Sequence, residues 1–136
     1  MIAPYLDASA IIYFIEGAAA VRAQLTTSIA NAENDPAGRI ITSRLARLEC
    51  RVKPLRAADV ALLATYDAFF TRARLDVVDV TATVLDRATD LRARYGFKTP
   101  DAIHIASAIE AGADGFLTGD AGLARCPDVK VEVISP

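Results

Sequence analysis

The chain has 136 residues, 53% of them apolar, with 15 basic and 17 acidic side chains and a formal net charge of −2. This composition excludes a disordered chain, and the length suits one domain over residues 1–136 that buries roughly 65–70% of its extended surface without staples. The near-neutral balance gives no overall pull toward nucleic acid and weighs against a simple nucleic-acid-binding module, but not against an enzyme whose metal ions neutralise carboxylates locally.

The N-terminal stretch MIAPYLDASAIIYFIEG is apolar, but it lacks a basic n-region and Asp7 interrupts it, so it does not read as a signal peptide. No apolar run approaches the ~20 residues of a membrane span. APYLD, residues 3–7, reads as a first strand. Ser9 can cap a helix through AIIYFIEG that stops near Gly17 and is apolar on nearly every side, hence buried. A second helix, AAAVRAQLTTSIANA, ends before the turn ENDPAG, and RIITS is a short strand. Ser43 caps RLARLECRV, Pro54 marks its end, and Leu45, Leu48 and Val52 form its apolar stripe. A further helix starts near Ala57, with Leu62, Leu63, Tyr66, Phe69, Phe70 and Ala73 on one stripe. LDVVDV is a strand and Thr81 caps the helix after it. Val84, Leu85, Ala88, Leu91 and Tyr95 form that helix's inner face, and Gly96 ends it. Thr99 caps the next helix, with Pro100 at its first position, and the helix runs to about Gly112. GFLTG is a strand, DAGLA a short helical turn and VKVEVI a last strand. Cys50 and Cys126 lack a CxxC spacing and read as two ordinary thiols, with the cytoplasm as the expected location. Strands alternating with helices imply an α/β fold with a mostly parallel sheet covered on both faces, and ligands bind at the carboxyl ends of such strands.

Most of the acids fall on solvated faces or in turns. Four do not. Asp7 ends the first strand before a buried helix, where it is either a cap or a site residue, and Ser9 already offers the cap. Asp120 follows FLTG, again at a strand's carboxyl end, with a cap for the following turn as the alternative. Asp101 stands in the first turn of its helix, where backbone N–H groups favour an acid. At about 100° per residue it projects near Ala108, between His104 and Ile105, so it borders an apolar face and needs a partner. Glu49 lies about 70° from the centre of its helix's apolar stripe, a boundary position open to an arginine partner or to a site. Arg44, Arg47 and Arg51 share a face nearly opposite Glu49 and read as a solvated stripe. His104, the only histidine, is surrounded by apolar neighbours and reads as a hydrogen-bonded core or boundary residue. No HxxxH, GxxxxGK[ST], GxGxxG or GxSxG is present.

Four converging carboxylates without a histidine ligand suit Mg²⁺, with Mn²⁺ able to substitute, because they would otherwise repel one another. A metal-held water can attack a phosphodiester in line, and a second ion ~3.5–4 Å away can stabilise the leaving oxygen.

YLDASAII, the Glu49 helix and KTPDAIHIASAIEAGADGFLTGD together resemble the PIN-domain ribonucleases, and within them the VapC toxins of toxin–antitoxin pairs. The likeness covers essentially the whole chain. It implies a three-layer α/β/α sandwich with a central, mostly parallel sheet. It implies an acidic site of Asp7, Glu49, Asp101 and Asp120 that hydrolyses RNA. Asp7 and Asp101 would be direct Mg²⁺ ligands, and Glu49 and Asp120 would hold the ion directly, through water, or a second ion. Thr118 matches the hydroxyl of the family's Thr-x-Asp ending and Ser9 a small polar residue after the first Asp, as supporting residues. Gly119 stands where Asn is commoner. The likeness also implies a homodimer and a small antitoxin that blocks the site, and the stripe from Leu62 to Phe70 is either a partner surface or a core face. Two other readings remain: a catalytically silent PIN-like binding or scaffolding domain, and a phosphoryl-transfer enzyme with Asp7 as nucleophile. Against the latter, Asp7 is followed by Ala8 and Ser9 rather than by a second Asp.

Overall fold

The computed structural model describes residues 1–135. Five strands, β1 (Pro4–Leu6), β2 (Ile40–Ser43), β3 (Leu75–Val78), β4 (Gly115–Thr118) and β5 (Val131–Val133), form one sheet in the order β3-β2-β1-β4-β5, with every pairing parallel. Each strand is too short to be stable alone, so the sheet depends on helices covering both faces. The period-two alternation divides the core accordingly. Leu6, Ile40 and Leu117 point to one side, and Tyr5, Ile41 and Phe116 to the other.

The first side is covered by α1 (Ala8–Glu16), α2 (Ala19–Asn34), α3 (Arg44–Arg56) and α4 (Val60–Phe69), through residues such as Ile11, Leu25, Ala46, Tyr66 and Phe69. The second is covered by α5 (Ala82–Tyr95) and α6 (Thr99–Glu110), through Val84, Leu91, Ala102 and Ile105. This is the expected three-layer α/β/α sandwich. The chain lays down β1, β2 and β3 outward in one direction, then returns to add β4 on the other flank of β1. The strand order therefore reverses between β1 and β4, and a crevice opens at their carboxyl ends.

Several local expectations are corrected. Asp7, not Ser9, is the N-cap of α1 and accepts from Ala10 N. A carboxylate at the cap satisfies the free N–H and also meets the positive end of the helix. The cap of α6 is Lys98, with no side-chain hydrogen bond, and Thr99 is already helical. Pro54 does not end α3, which runs on to Arg56; in the last turn its missing N–H disturbs little, and Ala57 N bonds Lys53 O at 3.0 Å. The stripe of Leu45, Leu48 and Val52 is not the inner face of α3. Ala46, Cys50 and Pro54 are buried instead, while Leu48 is 60% exposed. Small residues let α3 approach α1 closely: Cys50 Sγ reaches Ala8 O at 3.9 Å. Leu85 is likewise exposed rather than inward, and Asp79 lies just past β3. The stripe on α4 is a core face, with Tyr66, Phe69 and Phe70 buried.

Gly96 ends α5 in the left-handed region, at φ 72° and ψ 24°, and its N–H bonds Arg92 O. A Cβ there would meet nothing within 4 Å. Gly96→Ala should therefore cost only the backbone term, about 1–2 kcal/mol, seen in urea unfolding as a lower midpoint with an unchanged slope.

Candidate functional site

Parallel pairing sets Leu6 beside Leu117. The next residue on each strand, Asp7 and Thr118, then meets across the crevice. Thr118 Oγ1 donates to Asp7 Oδ2 at 2.6 Å. Ser9 Oγ donates to Asp7 Oδ1 at 2.6 Å, and Ala10 N donates to the same oxygen at 2.9 Å. The two hydroxyls in turn accept from the β4 loop: Gly119 N bonds Ser9 Oγ at 2.9 Å and Asp120 N bonds Thr118 Oγ1 at 3.0 Å. Asp7 is 5% exposed and its carboxylate is held by three donors. Three of its roughly four lone-pair sites are thereby used, and the remaining one lies on Oδ2.

Asp120 caps the 3₁₀ turn Ala121–Arg125 through Oδ1, which accepts from Gly122 N at 2.8 Å. The cap reading thus holds for one oxygen and leaves Oδ2 unused. Asp101 sits in the first turn of α6, and its carboxylate accepts no hydrogen bond among the described residues. Asp101 and Asp120 line one cavity of about 210 Å³, together with Lys98 and Arg125. Burial pushes the Asp101 carboxyl above the ordinary carboxylate range; the charges of Asp120, Asp7 and Glu49 push the same way, against an opposing pull from His104. The three other acids are therefore within electrostatic reach of Asp101.

Glu49 is half-buried on α3, where Oε1 lies 2.6 Å from His104 Nε2. Of the two readings left open for Glu49, an arginine partner is not found among the described residues. Arg44 pairs with Asp79 at 3.4 Å and Arg51 with Asp67 at 2.9 Å, and Arg44 and Arg47 line a separate cavity with Phe70 and Val77. Among the described residues no three His, Cys, Asp or Glu side chains gather into a group that could hold an ion. The four candidate donors are hard carboxylates, each with at least one unused lone-pair site among the described residues, the type of group that suits Mg²⁺ or Mn²⁺ retaining several waters.

His104 was legible as a hydrogen-bonded buried histidine, but its tie to Glu49 was not, nor was Tyr5, whose Oη lies 2.8 Å from His104 Nδ1. A tyrosine on a core strand carries no sequence signal for such a role. Gly119 has a steric reason here. A Cβ would run 2.3 Å from Tyr13 Cε2, so the Asn of the family pattern would have to displace that ring.

The raised Asp101 carboxyl has a consequence for stability. Between the ordinary carboxylate value and the raised one, the folded state binds more protons than the unfolded state. Stability is therefore lost as pH rises through that interval and does not return above it. Without metal, Asp101→Asn should melt higher than the wild type at neutral pH, and the gain should shrink as the pH is lowered through the carboxylate range, as read by thermal unfolding at a series of pH values.

A family model described as PIN domain matches residues 5–129. No curated protein matches the chain. Among solved structures, VapBC2 from Rickettsia felis bound to a promoter DNA fragment aligns with a TM-score of 0.77 at 18% identity, over 98% of this chain and 100% of that one. DNA-bound VapBC from Salmonella typhimurium aligns at 0.75 and 18% identity, over 99% and 100%. VapC20 from Mycobacterium tuberculosis, a sarcin–ricin loop cleaving toxin, aligns at 0.67 and 18% identity, over 93% and 98%. These likenesses concern the fold, whereas the family model spans almost the whole sequence: the chain belongs to the PIN-domain family.

Proposed function

We propose that the chain is a Mg²⁺-dependent endoribonuclease, with Mn²⁺ able to substitute, acting in the cytoplasm as the toxin of a toxin–antitoxin pair. The observation that supports this reading is geometric: Asp7 and Asp120 follow the adjacent strands β1 and β4 at the reversal of strand order, Asp101 lines one cavity with Asp120, and Glu49 is bonded to His104 one turn along α6 from Asp101. Structural neighbours, one named as a toxin–antitoxin complex from Klebsiella pneumoniae and one as a sarcin–ricin loop cleaving toxin, support it.

Each acid has a distinct part. Asp7, clamped by Ser9, Ala10 and Thr118, offers the free site on Oδ2 as a fixed metal ligand. Asp101 offers both oxygens from the start of α6. Asp120 Oδ2 and Glu49 Oε2 complete the set, as ligands or as acceptors for the ion's waters. The bound ion would supply positive charge to the scissile phosphate and make a water more acidic. Ser9 and Thr118 do not need to touch RNA; they keep the Asp7 carboxylate from turning. A small antitoxin and a second copy of the chain are the proposed protein partners. Leu48, Val52 and Leu55, exposed on α3, and Val60, exposed at the start of α4, support a protein-binding surface.

That no three His, Cys, Asp or Glu side chains gather into a metal-holding group among the described residues favours one competing reading, a catalytically silent PIN-like scaffold. RNA cleavage with Mg²⁺ or Mn²⁺ separates the two. Asp7→Asn, which retains a capping side chain, and Asp101→Asn should each lower cleavage on the order of a hundredfold or more, and a chelator should abolish it. Wild-type rates in both variants would remove the assigned site, and no metal binding by calorimetry would favour the scaffold.

A further inference from the structure

His104 is 3% exposed and lies one turn further along α6 than Asp101. Its ring links two shells of the protein. Nδ1 is 2.8 Å from Tyr5 Oη, which is also 2.8 Å from Ser43 Oγ, and Nε2 is 2.6 Å from Glu49 Oε1. Side chains from β1, β2, α6 and α3 thus form one buried polar chain that ends on Glu49. The ring cannot swing away. It meets Tyr5 edge-on at 5.9 Å, and Tyr5 is stacked on Phe116 at 5.2 Å.

The donor follows from valence where Glu49 acts as a metal-holding carboxylate: it then has no hydrogen to give, so Nε2–H donates across the 2.6 Å contact. This holds whichever neighbour receives the Tyr5 hydroxyl proton. Glu49 has no other hydrogen-bond partner among the described residues, and its side chain remains 33% exposed. With three free torsions it would otherwise sample solvent and leave the other acids.

We propose that His104 is a positioning residue that anchors Glu49 in the acid site, with Tyr5 and Ser43 anchoring His104 in turn. The inference rests on the nuclease reading for its purpose. Hydrogen-bonded partners behind metal-binding carboxylates are worth about ten- to a hundredfold in affinity. A purely structural histidine would affect folding alone.

Two measurements on the whole chain decide it. Because His104 is the only histidine, a long-range proton–nitrogen NMR correlation of the metal-free protein reports one ring. A proton on Nε2 is expected; a bare Nε2 facing Glu49 overturns the proposal. Mn²⁺ affinity by calorimetry should fall about tenfold or more in His104→Leu and be largely restored in His104→Gln, whose amide N–H can reach Glu49. In a Glu49→Ala background, His104→Leu should cost nothing further. Unchanged affinity in His104→Leu, equal losses in Leu and Gln, or a full further loss without Glu49 would each overturn it. Should His104→Leu fail to fold, His104→Asn, too short to reach Glu49, replaces it with the same outcomes. If the wild type binds no Mn²⁺, the nuclease reading falls, and the ring proton then decides the anchoring by itself.

Discussion

Thr118 Oγ1 donates to Asp7 Oδ2 across 111 residues of sequence, and that bond exists only because β1 and β4 lie side by side, parallel and in register. Slipping the pairing by one residue would turn Thr118 into a core layer and leave the Asp7 carboxylate without its partner. The register is held by the alternation of Leu6 and Tyr5 on β1 against Leu117 and Phe116 on β4, each matched to a different apolar cluster. Packing on both faces of the sheet thus determines the position of a carboxylate at its edge. Hydrogen bonds to a charged group are worth about 1.5–3 kcal/mol each, so three of them fix the direction in which this side chain points.

Asp101 shows the opposite economy. It takes no hydrogen bond among the described residues, it is partly buried, and the charges of three other acids push its carboxyl upward. A fold selected for stability alone would place an amide or a serine there. The helix start that carries it is also left without a side-chain cap, since Lys98 makes none. Strain of this kind at an element's end marks functional positions, because stabilising replacements are available and unused. The cost is borne by the apolar remainder of α6, where Ala102, Ile105, Ala106 and Ala108 are fully buried.

What could be read from the sequence follows from how local each cause is. The order of strands and helices, and the end of α5 at Gly96, depend on neighbouring residues and were legible. The placement of Asp101 and Asp120 was legible because each sits at an element's end beside an apolar block. Asp7 was only half legible. Ser9 looked like the cap, but Ser9 is needed to bond Asp7 and Gly119, and the stronger acceptor took the cap. The face of α3 was misread because apolar size was taken as the guide, whereas the close approach to α1 selects Ala46 and Cys50. His104 and Glu49 are 55 residues apart, and no periodicity reports a bond across that span.

The misread helix explains why Glu49 is weakly held by its own element. With the small face of α3 turned inward, Glu49 flanks that face at the surface boundary, next to Leu48, which is 60% exposed. Nothing on α3 bonds its carboxylate among the described residues. Asp7, by contrast, is clamped by its own helix's first turn and by the strand beside it. The two acids therefore need different support. Asp7 is secured by the register of the sheet, and Glu49 by a side chain reaching over from α6. Because His104 and Asp101 share that helix, any shift of α6 along its axis would move a candidate ligand and the anchor of a second one together.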